Sequence, residues 1–306
     1  MAGGVSILGI FAADLGFHGL RLPVMGETLI GSKFGIGPGG KGSNQAVAAA
    51  RAGAATTFIS KLGRDQFGDM ARSMYAAEGI TTRIGDSENS SGAAFIFVDE
   101  KTGNNAIIVV PGAAGELGVA DVEANREVIS TSAVFMTQLE QPIPAARKAL
   151  EIARAAGVRT ILNTAPAAPL DDSIYALCDY VTPNESEATL LTGIEVKDVA
   201  SARKAGDWFL AKGVGTALIT MGGQGALLHN SSNSVAIPIY VAGKVIDTTG
   251  AGDAFNGGFA AALARGDDPL AAAHFGSATA GISVTRPGTA PSMPTLAETR
   301  ALLAKS

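Results

Sequence analysis

The chain has 306 residues, of which 47% are hydrophobic and 17% are charged, and its formal net charge is −5. This length and composition allow a large buried core in one or two domains, and they exclude a disordered chain. The negative charge, with no run of lysine or arginine, argues against a nucleic acid as partner.

Three further features bear on where the protein works. No segment reaches the roughly 18–20 uninterrupted apolar residues that a membrane helix needs, so no membrane partner is expected. The N-terminus has no basic residue before its first apolar run, which argues against a signal peptide. The single cysteine, Cys178, has no partner for an internal disulfide, as is typical of a reducing compartment. We therefore expect a cytoplasmic protein.

Short β-branched apolar runs alternate with alanine- and leucine-rich stretches along most of the chain. The predicted strands are residues 5–10, 57–60, 133–137, 160–163, 180–182 and 217–220. The predicted helices between them are residues 43–52, 67–78, 144–156, 185–191 and 199–212. Such alternation is typical of right-handed βαβ units, and continuous apolar strands are typical of a parallel sheet buried on both faces. The sequence predicts a layered α/β fold with a mainly parallel sheet, in one domain over residues 1–306.

Two segments break this rhythm, residues 16–37 and residues 93–110. The first has turn residues and short strand-like pieces without a helical period. The second is typical of a hairpin whose turn contains Gly103, Asn104 and Asn105. Both are candidates for a small β layer that projects from the main sheet, although periodicity alone fits an ordinary edge hairpin equally well.

A first glycine cluster, residues 35–44, matches two nucleotide-binding patterns incompletely. It contains G-x-G-x-x-G, but not directly after the first strand, and G-x-x-x-x-G-K with Gly42 in place of the Ser or Thr. We reject both patterns. Glycines still let backbone N–H groups approach a ligand, and Lys41 and Asn44 add polar side chains at a helix start. The alternative is a flexible turn before a helix.

A second cluster, residues 247–258, precedes a long alanine-rich helix. Gly250 and Gly252 before a helix predict converging N–H groups that can hold an anion. Asp253 beside them would be repelled by an anion, so we interpret it as the acceptor of a proton from an attacking hydroxyl. Its position at the helix N-terminus should favour the anion by about 0.3–1 kcal/mol and make it a slightly weaker base. The alternative is that Asp253 only caps the helix.

Two further polar segments follow predicted strands. Residues 220–225 form a third glycine cluster, which could hold a nucleotide or form a tight turn. Asn184 and Glu187 are three residues apart and should share one face of a helical turn, where capping and function are equally compatible with the spacing.

These segments, in this order, resemble the ribokinase-like (PfkB) carbohydrate kinases along nearly the whole chain. The motifs that carry the resemblance are residues 39–46 (Gly-Gly-Lys-Gly-Ser-Asn-Gln-Ala), 63–68, 182–185, 247–258 and 284–292. The resemblance implies a layered α/β/α domain with a β-sheet lid over a sugar, formed by residues 16–37 and 93–110. It also implies a homodimer through that lid. The implied reaction is transfer of the γ-phosphate of ATP to the hydroxymethyl oxygen of a pentose, D-ribose first, giving D-ribose 5-phosphate.

The resemblance also implies roles for particular residues, with Asp253 as base. For the sugar they are Asp14, Gly40, Lys41, Gly42, Asn44, Glu140 and Asp253. For the charge on the transferred phosphate they are Gly250, Ala251 and Gly252. For ATP they are Asn184, Thr220, Gly222, Gly223, Gly225, Gly252 and Ser277, with Mg²⁺ held indirectly near Glu187. For an activating K⁺ they are Asp247, Thr249, Ser283, Arg286, Gly288 and Ser292.

The chain departs from the family pattern at two positions. Ala12 stands where an Asn usually precedes the sugar-binding Asp by two residues, and Ser277 stands where some members have a His beside the adenine. Ala12 removes a polar contact from the sugar pocket. A kinase for a ketose, a deoxysugar or a nucleoside is therefore the alternative. A regulator without catalysis is a second alternative, against which the intact Asp253 and Gly250–Gly252 segment argue.

Overall fold

The computed structural model describes residues 4–102 and 104–305, and in it strands and helices alternate as predicted. The strands are β1 (Val5–Leu8), β2 (Ala12–Gly19), β3 (Lys33–Gly39), β4 (Thr56–Gly63), β5 (Thr81–Ser87), β6 (Ser91–Asp99), β7 (Asn105–Gly112), β8 (Val134–Thr137), β9 (Arg159–Leu162), β10 (Tyr180–Val181), β11 (Thr216–Thr220), β12 (Ala226–Asn230) and β13 (Ser234–Ile237). The helices are α1 (Lys41–Arg51), α2 (Gln66–Ala77), α3 (Val119–Ala124), α4 (Arg126–Ser130), α5 (Ile143–Ala155), α6 (Asp172–Tyr175), α7 (Glu185–Thr192), α8 (Val199–Ala211), α9 (Ala251–Arg265), α10 (Pro269–Ser283) and α11 (Leu296–Leu303). Short 3₁₀ turns cover Ala113–Glu116, Gly222–Gln224 and Ala290–Ser292.

The main sheet has nine strands in the order β13-β12-β11-β10-β9-β8-β1-β4-β5. Seven neighbouring strands pair in parallel, namely β11, β10, β9, β8, β1, β4 and β5. At one edge β12 and β13 add antiparallel pairs. The predicted α/β fold with a mainly parallel sheet is confirmed. Boundaries differ by one to three residues: the first strand ends at Leu8, α1 begins at Lys41 and β4 ends at Gly63.

Helices cover both faces of this sheet, which explains why the central strands β1 and β8 are buried at every position. Successive residues of one strand belong to opposite cores: Ile7 packs with α1 and α9, whereas Leu8 packs with α5 and α8. Met136 and Phe135 on β8 divide in the same way. Side chains alternate across a strand, so both faces need an apolar residue when both are buried.

The two segments without helical period form a separate four-stranded sheet in the order β3-β2-β6-β7. In this small sheet β2 pairs in parallel with β6, and the hairpin strands β6 and β7 pair antiparallel. The strands extend past the predicted limits, since β2 begins at Ala12 and β3 ends at Gly39. Gly103, in the predicted turn, lies outside the described residues. The small β layer is therefore present, and the edge-hairpin alternative is wrong.

The small sheet exposes a broad apolar surface. Its exposed large hydrophobic side chains include Phe17, Phe34, Ile36, Ile107, Ile108, Val109 and Val110. The ring of Phe17 contacts those of Phe34 and Phe95, with centroids 4.9 and 5.5 Å away. Within residues 4–102 and 104–305, no helix is long and apolar enough to span a membrane.

Candidate active site

Polar side chains from several elements meet at the edge where the parallel strands of the main sheet have their carboxyl ends. In open α/β sheets, ligands bind in the crevice at this edge. Glu140 and Asn163 follow β8 and β9, and both bond to the start of α1. The start of α9 bonds to the same part of α1 through Asp253.

The start of α1 depends on a glycine with unusual backbone geometry. Gly40 has a φ of 88°, and a Cβ there would lie 2.7 Å from the carbonyl oxygen of Ile10. Residues 35–39 of the first glycine cluster lie in β3, and the turn at Gly40 is tightly packed against Ile10, which argues against the alternative of a flexible turn. The turn exposes the amide of Lys41, which donates to Oε2 of Glu140 at 2.8 Å. The backbone of Lys41 is therefore held beside the Glu140 carboxylate.

The start of α9 also requires glycine. Gly250 has a φ of 78° in the left-handed region, directly before the first helical residue. A Cβ built on Gly252 would meet no atom within 4 Å, so the space beside this helix start is open. Open space above unbonded helix N–H groups is what an anion site needs.

Asp253 lies in the first turn of α9 but does not cap it. Its side chain is 8% exposed, and each carboxylate oxygen accepts a hydrogen bond from α1. Nδ2 of Asn44 donates to Oδ2 at 2.9 Å, and Nε2 of Gln45 donates to Oδ1 at 3.0 Å. The helix start has no side-chain cap, so the capping alternative for Asp253 is wrong.

Four carboxylates act electrostatically on the ammonium group of Lys41. They belong to Asp14, Glu140, Glu187 and Asp253. Burial lowers the pKa of Lys41, but the four negative charges outweigh it and the net pKa is raised.

The carboxylates themselves hold protons more tightly than usual. Burial is the main reason that the pKa of Asp14 rises to about 6 and that of Glu140 to about 7. Burial likewise raises the pKa of Glu187 and of Asp253. For Asp253 burial outweighs Lys41 and the two amide donors, so the net pKa is raised although a helix N-terminus by itself favours the anion.

Asn184 and Glu187 form a reciprocal cap at the start of α7. Oδ1 of Asn184 accepts from the amide of Glu187, and Oε2 of Glu187 accepts from the amide of Asn184, both at 2.8 Å. The capping alternative is therefore present here. It fixes Glu187, whose negative charge acts on Lys41 and Asp253.

The third glycine cluster is a tight 3₁₀ turn between β11 and β12. Met221 donates to the carbonyl of Gly225 at 2.7 Å, while Gly223 faces open space. Thr220 forms a parallel bridge with Asn184, which brings this turn beside α7. The last residue predicted for ATP, Ser277, lies on α10 and donates to the carbonyl of Pro238 at 2.6 Å.

The predicted K⁺ residues come from two loops that contact each other. Asp247 accepts from the amide of Thr249 at 2.9 Å and from that of Gly288 at 3.0 Å. Ser283 and Ser292 are buried and bond locally to backbone carbonyls, and Arg286 pairs with Glu298 of α11. The Asp247 carboxylate therefore links the two loops through one hydrogen bond to each.

The donor set near Lys41 also fits Mg²⁺ in a limited way. Within the described part of the chain, no group of three or more His, Cys, Asp or Glu side chains could enclose a metal. Mg²⁺ usually binds through one or two carboxylates together with phosphate oxygens and water. Glu187 can supply such a carboxylate, so the residues fit a metal that arrives with a nucleotide.

Two residues of this site had no predicted role. Gln45 belongs to the first family motif, and its position next to Asn44 on α1 was the available signal. Thr289 donates to the carbonyl of Pro38 at 2.7 Å and lies 3.4 Å from Oδ2 of Asp14. Only the folded chain brings these segments together, so spacing held no signal for Thr289.

The site combines three features: the ligand-binding edge of a parallel sheet, a buried carboxylate and an open helix start. Together they define an enzyme of phosphoryl-transfer type. Residues 4–296 match the profile of the pfkB family carbohydrate kinases. This chain belongs to the pfkB family of carbohydrate kinases.

Individual relatives support the same conclusion. The chain is 42% identical to the ribokinase of Haemophilus influenzae over 300 residues, which cover 96% of each sequence. It is 35% identical to the deoxyribokinase of Salmonella typhi, covering 95% of this chain and 96% of that one. The structure of Arabidopsis thaliana ribokinase with ribose and ATP superposes with a TM-score of 0.90 at 28% identity, covering all of both chains.

Proposed function

We propose that the chain transfers the γ-phosphate of ATP to the hydroxymethyl oxygen of D-ribose and produces D-ribose 5-phosphate. The observation that carries this proposal is the buried carboxylate of Asp253 beside the open helix start at Gly252. The ribokinase relatives and the ribose- and ATP-bound structure of one of them support the acceptor and the donor.

Asp253 takes the proton from the hydroxymethyl group as its oxygen attacks the phosphorus of the γ-phosphate. The proton moves from the sugar oxygen to the carboxylate, the new P–O bond forms, and the bond to the leaving ADP breaks. The raised pKa of Asp253 suits a base that works near neutral pH. Asp14, Asn44 and Glu140 supply further groups that bond to sugar hydroxyls, with the backbone at Gly40 and Gly42 beside them.

The backbone N–H groups of Gly250, Ala251 and Gly252 stabilise the charge on the transferred phosphate. ATP lies along Asn184, the 220–225 turn and Ser277. Bound Mg²⁺ supplies positive charge to the phosphates, and Glu187 is the carboxylate that holds it, through water. A cation that accompanies the phosphates is needed because the pocket already contains four carboxylates and one lysine.

The loops that contain Asp247 and Gly288 hold a K⁺ ion that activates the enzyme. Gly250 packs against Thr289 of the second loop: a Cβ on Gly250 would lie 3.3 Å from Cα of Thr289. A cation that orders these loops therefore orders the phosphate-binding backbone as well.

The small sheet acts as a lid over the sugar and as the contact of a homodimer. Asp14 lies on β2 of this sheet and reaches into the site, so the sheet already forms one wall of the sugar pocket. The face of the sheet opposite to Asp14 exposes apolar side chains such as Phe17, Ile36 and Ile108, and exposed neighbouring apolar side chains favour a protein contact. A second copy of the chain covers them by the same patch in a two-fold dimer. We place this dimer in the cytoplasm.

A deoxysugar is the alternative acceptor that a specific observation favours. Ala12 is buried on β2 and has no group that bonds a hydroxyl, and a deoxyribokinase is among the relatives.

We predict that Asp253→Asn lowers kcat by roughly 10²–10⁴-fold, because the amide cannot accept the proton. The KM for ATP should change little. Steady-state kinetics measure both, and Asp267→Asn, two residues beyond the end of α9, is the matched control. A variant with near-normal turnover would remove Asp253 from the role of base.

We predict that the rate rises when K⁺ replaces a bulky organic cation at equal ionic strength, and that Asp247→Ala abolishes the difference. Coupled measurement of ADP release in the two salts tests this. Identical rates for the unchanged enzyme in both salts would contradict the cation site.

We predict that the chain is a dimer and that Ile108→Glu makes it a monomer, because a buried unpaired charge in the contact is costly. Ile108 is 65% exposed. Light scattering after gel filtration gives the mass. Leu190→Glu on α7, 75% exposed and outside the small sheet, is the control that should stay dimeric. A monomer before any substitution would sink the proposal.

We predict ribose as the best acceptor, with weak discrimination against 2-deoxyribose. Ala12→Asn should sharpen that discrimination by about one hydrogen bond, ~0.5–1.5 kcal/mol. The measurement is kcat/KM for ribose, 2-deoxyribose, fructose and adenosine on both proteins. If fructose or adenosine exceeds ribose tenfold, the ribose assignment fails and the sugar-kinase assignment remains.

A further inference from the structure

The carboxylate of Asp253 is held from α1 by two neighbouring amide side chains that differ in their surroundings. Asn44 donates to Oδ2 and is one of the residues that face the sugar in the proposed function. Gln45 donates to Oδ1 and is completely buried, with an exposed fraction of 0%. Gln45 therefore acts on the site through Asp253 and its other buried partners.

Every polar atom of the Gln45 amide has a partner that fixes its orientation. Nε2 donates to Asp253 and also to Oδ1 of Asn163 at 3.0 Å, and Oε1 accepts from Nε2 of Gln138 at 2.6 Å. Asn163 is oriented in turn, because its Nδ2 donates to the carbonyl of Thr182 at 2.8 Å. A flipped Gln45 would direct its oxygen at the carboxylate and its NH₂ group at that of Gln138, so only one orientation satisfies all partners.

We propose that Gln45 is the positioning residue of Asp253: its fixed amide holds one carboxylate oxygen in place while the carboxylate accepts the proton of the sugar hydroxyl. Gln138 contributes to this positioning, since its hydrogen bond fixes the orientation of the Gln45 amide. This inference rests on the proposed role of Asp253 as base.

Such a donor matters because most charged groups that face Asp253 oppose its ionisation. Lys41 on α1 is the cation among them, and the anions are Asp14 from β2, Glu140 after β8 and Glu187 on α7. The amides of Asn44 and Gln45 stabilise the ionised carboxylate without adding charge. Loss of the Gln45 donor therefore raises the pKa of Asp253 further. A higher pKa requires a higher pH to produce the base, so the acid limb of the pH–kcat profile moves to higher pH.

The test is the pH–kcat profile of Gln45→Met and Gln138→Met, with Gln141→Met as matched control. Gln141 is also buried, and it bonds to Oγ1 of Thr137 and the carbonyl of Gln138 without contact to Asp253. We expect Gln45→Met to lower kcat roughly ten- to hundredfold, the effect of one hydrogen bond to a charged group. The KM for the sugar should change less than kcat, and the acid limb should move to higher pH. Gln138→Met should produce the same displacement at smaller size, and Gln141→Met should leave the profile unchanged.

Each outcome separates positioning from a structural role. If Gln45→Met and Gln138→Met lose stability but keep the kcat and acid limb of the unchanged enzyme, Gln45 only fills the core and the inference is wrong. If Gln45→Met does not fold, Gln138→Met decides alone, because it leaves Gln45 in place and removes only its orienting donor. Asp253→Asn is measured in parallel. Near-normal turnover of Asp253→Asn would overturn the base itself, whereas its loss together with unchanged profiles of both glutamine variants would overturn only the positioning role.

Discussion

The close contact between α1 and α9 is the constraint on which the site depends. A Cβ on Gly257 of α9 would lie 2.4 Å from Cβ of Ala48 and 2.6 Å from the carbonyl of Gln45. Only glycine allows the two helices to approach this far, and the approach brings the first turn of α9 against the first turn of α1. Asp253 can then accept hydrogen bonds from two consecutive residues of α1. A larger residue at this contact would separate the base from the amides that hold it.

The buried carboxylates in the pocket lower the stability of the free enzyme. Carboxylates whose pKa is raised on folding hold protons more tightly in the folded state, so they cost stability as the pH rises from their unfolded pKa through the folded one. Asp14 and Glu140, with pKa values of about 6 and about 7, have this cost in the neutral range. In the proposed function, sugar hydroxyls that donate to these groups and cations that accompany ATP offset this cost. Ligands would then be favoured because they remove an unfavourable feature of the free protein, at the expense of maximal stability.

The sequence predicted β1, β4 and β8 to β11 of the main sheet because these strands are largely buried on both faces, which is a local signal. The strands β5, β12 and β13 were not among the predicted ones, and β5 is mostly exposed or half-buried. The sequence also predicted the small sheet, because its two segments interrupt the alternation of strands and helices. The predicted segments were shorter than the observed strands at their outer ends. Ala12 and Gly39 look like loop residues locally, and they become strand residues only because β2 and β3 pair with each other there.

For the site, glycine clusters and strand ends indicated Lys41, Asn184 and Asp253, and the structure brings all three to the carboxyl edge of the main sheet. Their roles in binding and catalysis stay predictions. Capping could not be assigned from spacing: Asn184 caps its helix and Asp253 does not. The hydrogen bonds of Gln45 and the raised pKa of Asp253 depend on groups at least 93 residues away in the chain, which no local pattern contains.

Thr289 shows how three separate binding segments become one site. Its hydroxyl donates to the carbonyl of Pro38 in the small sheet, and its backbone packs against Gly250 at the phosphate-binding turn. The same hydroxyl lies near the carboxylate of Asp14. Tightly packed interiors transmit a displacement instead of absorbing it. A shift of the loop that contains Thr289 therefore moves either the phosphate-binding backbone or the wall of the sugar pocket. Ordering any one of the three segments thus lowers the cost of ordering the other two, which gives a physical route by which a cation, a phosphate and a sugar can act on one another without direct contact.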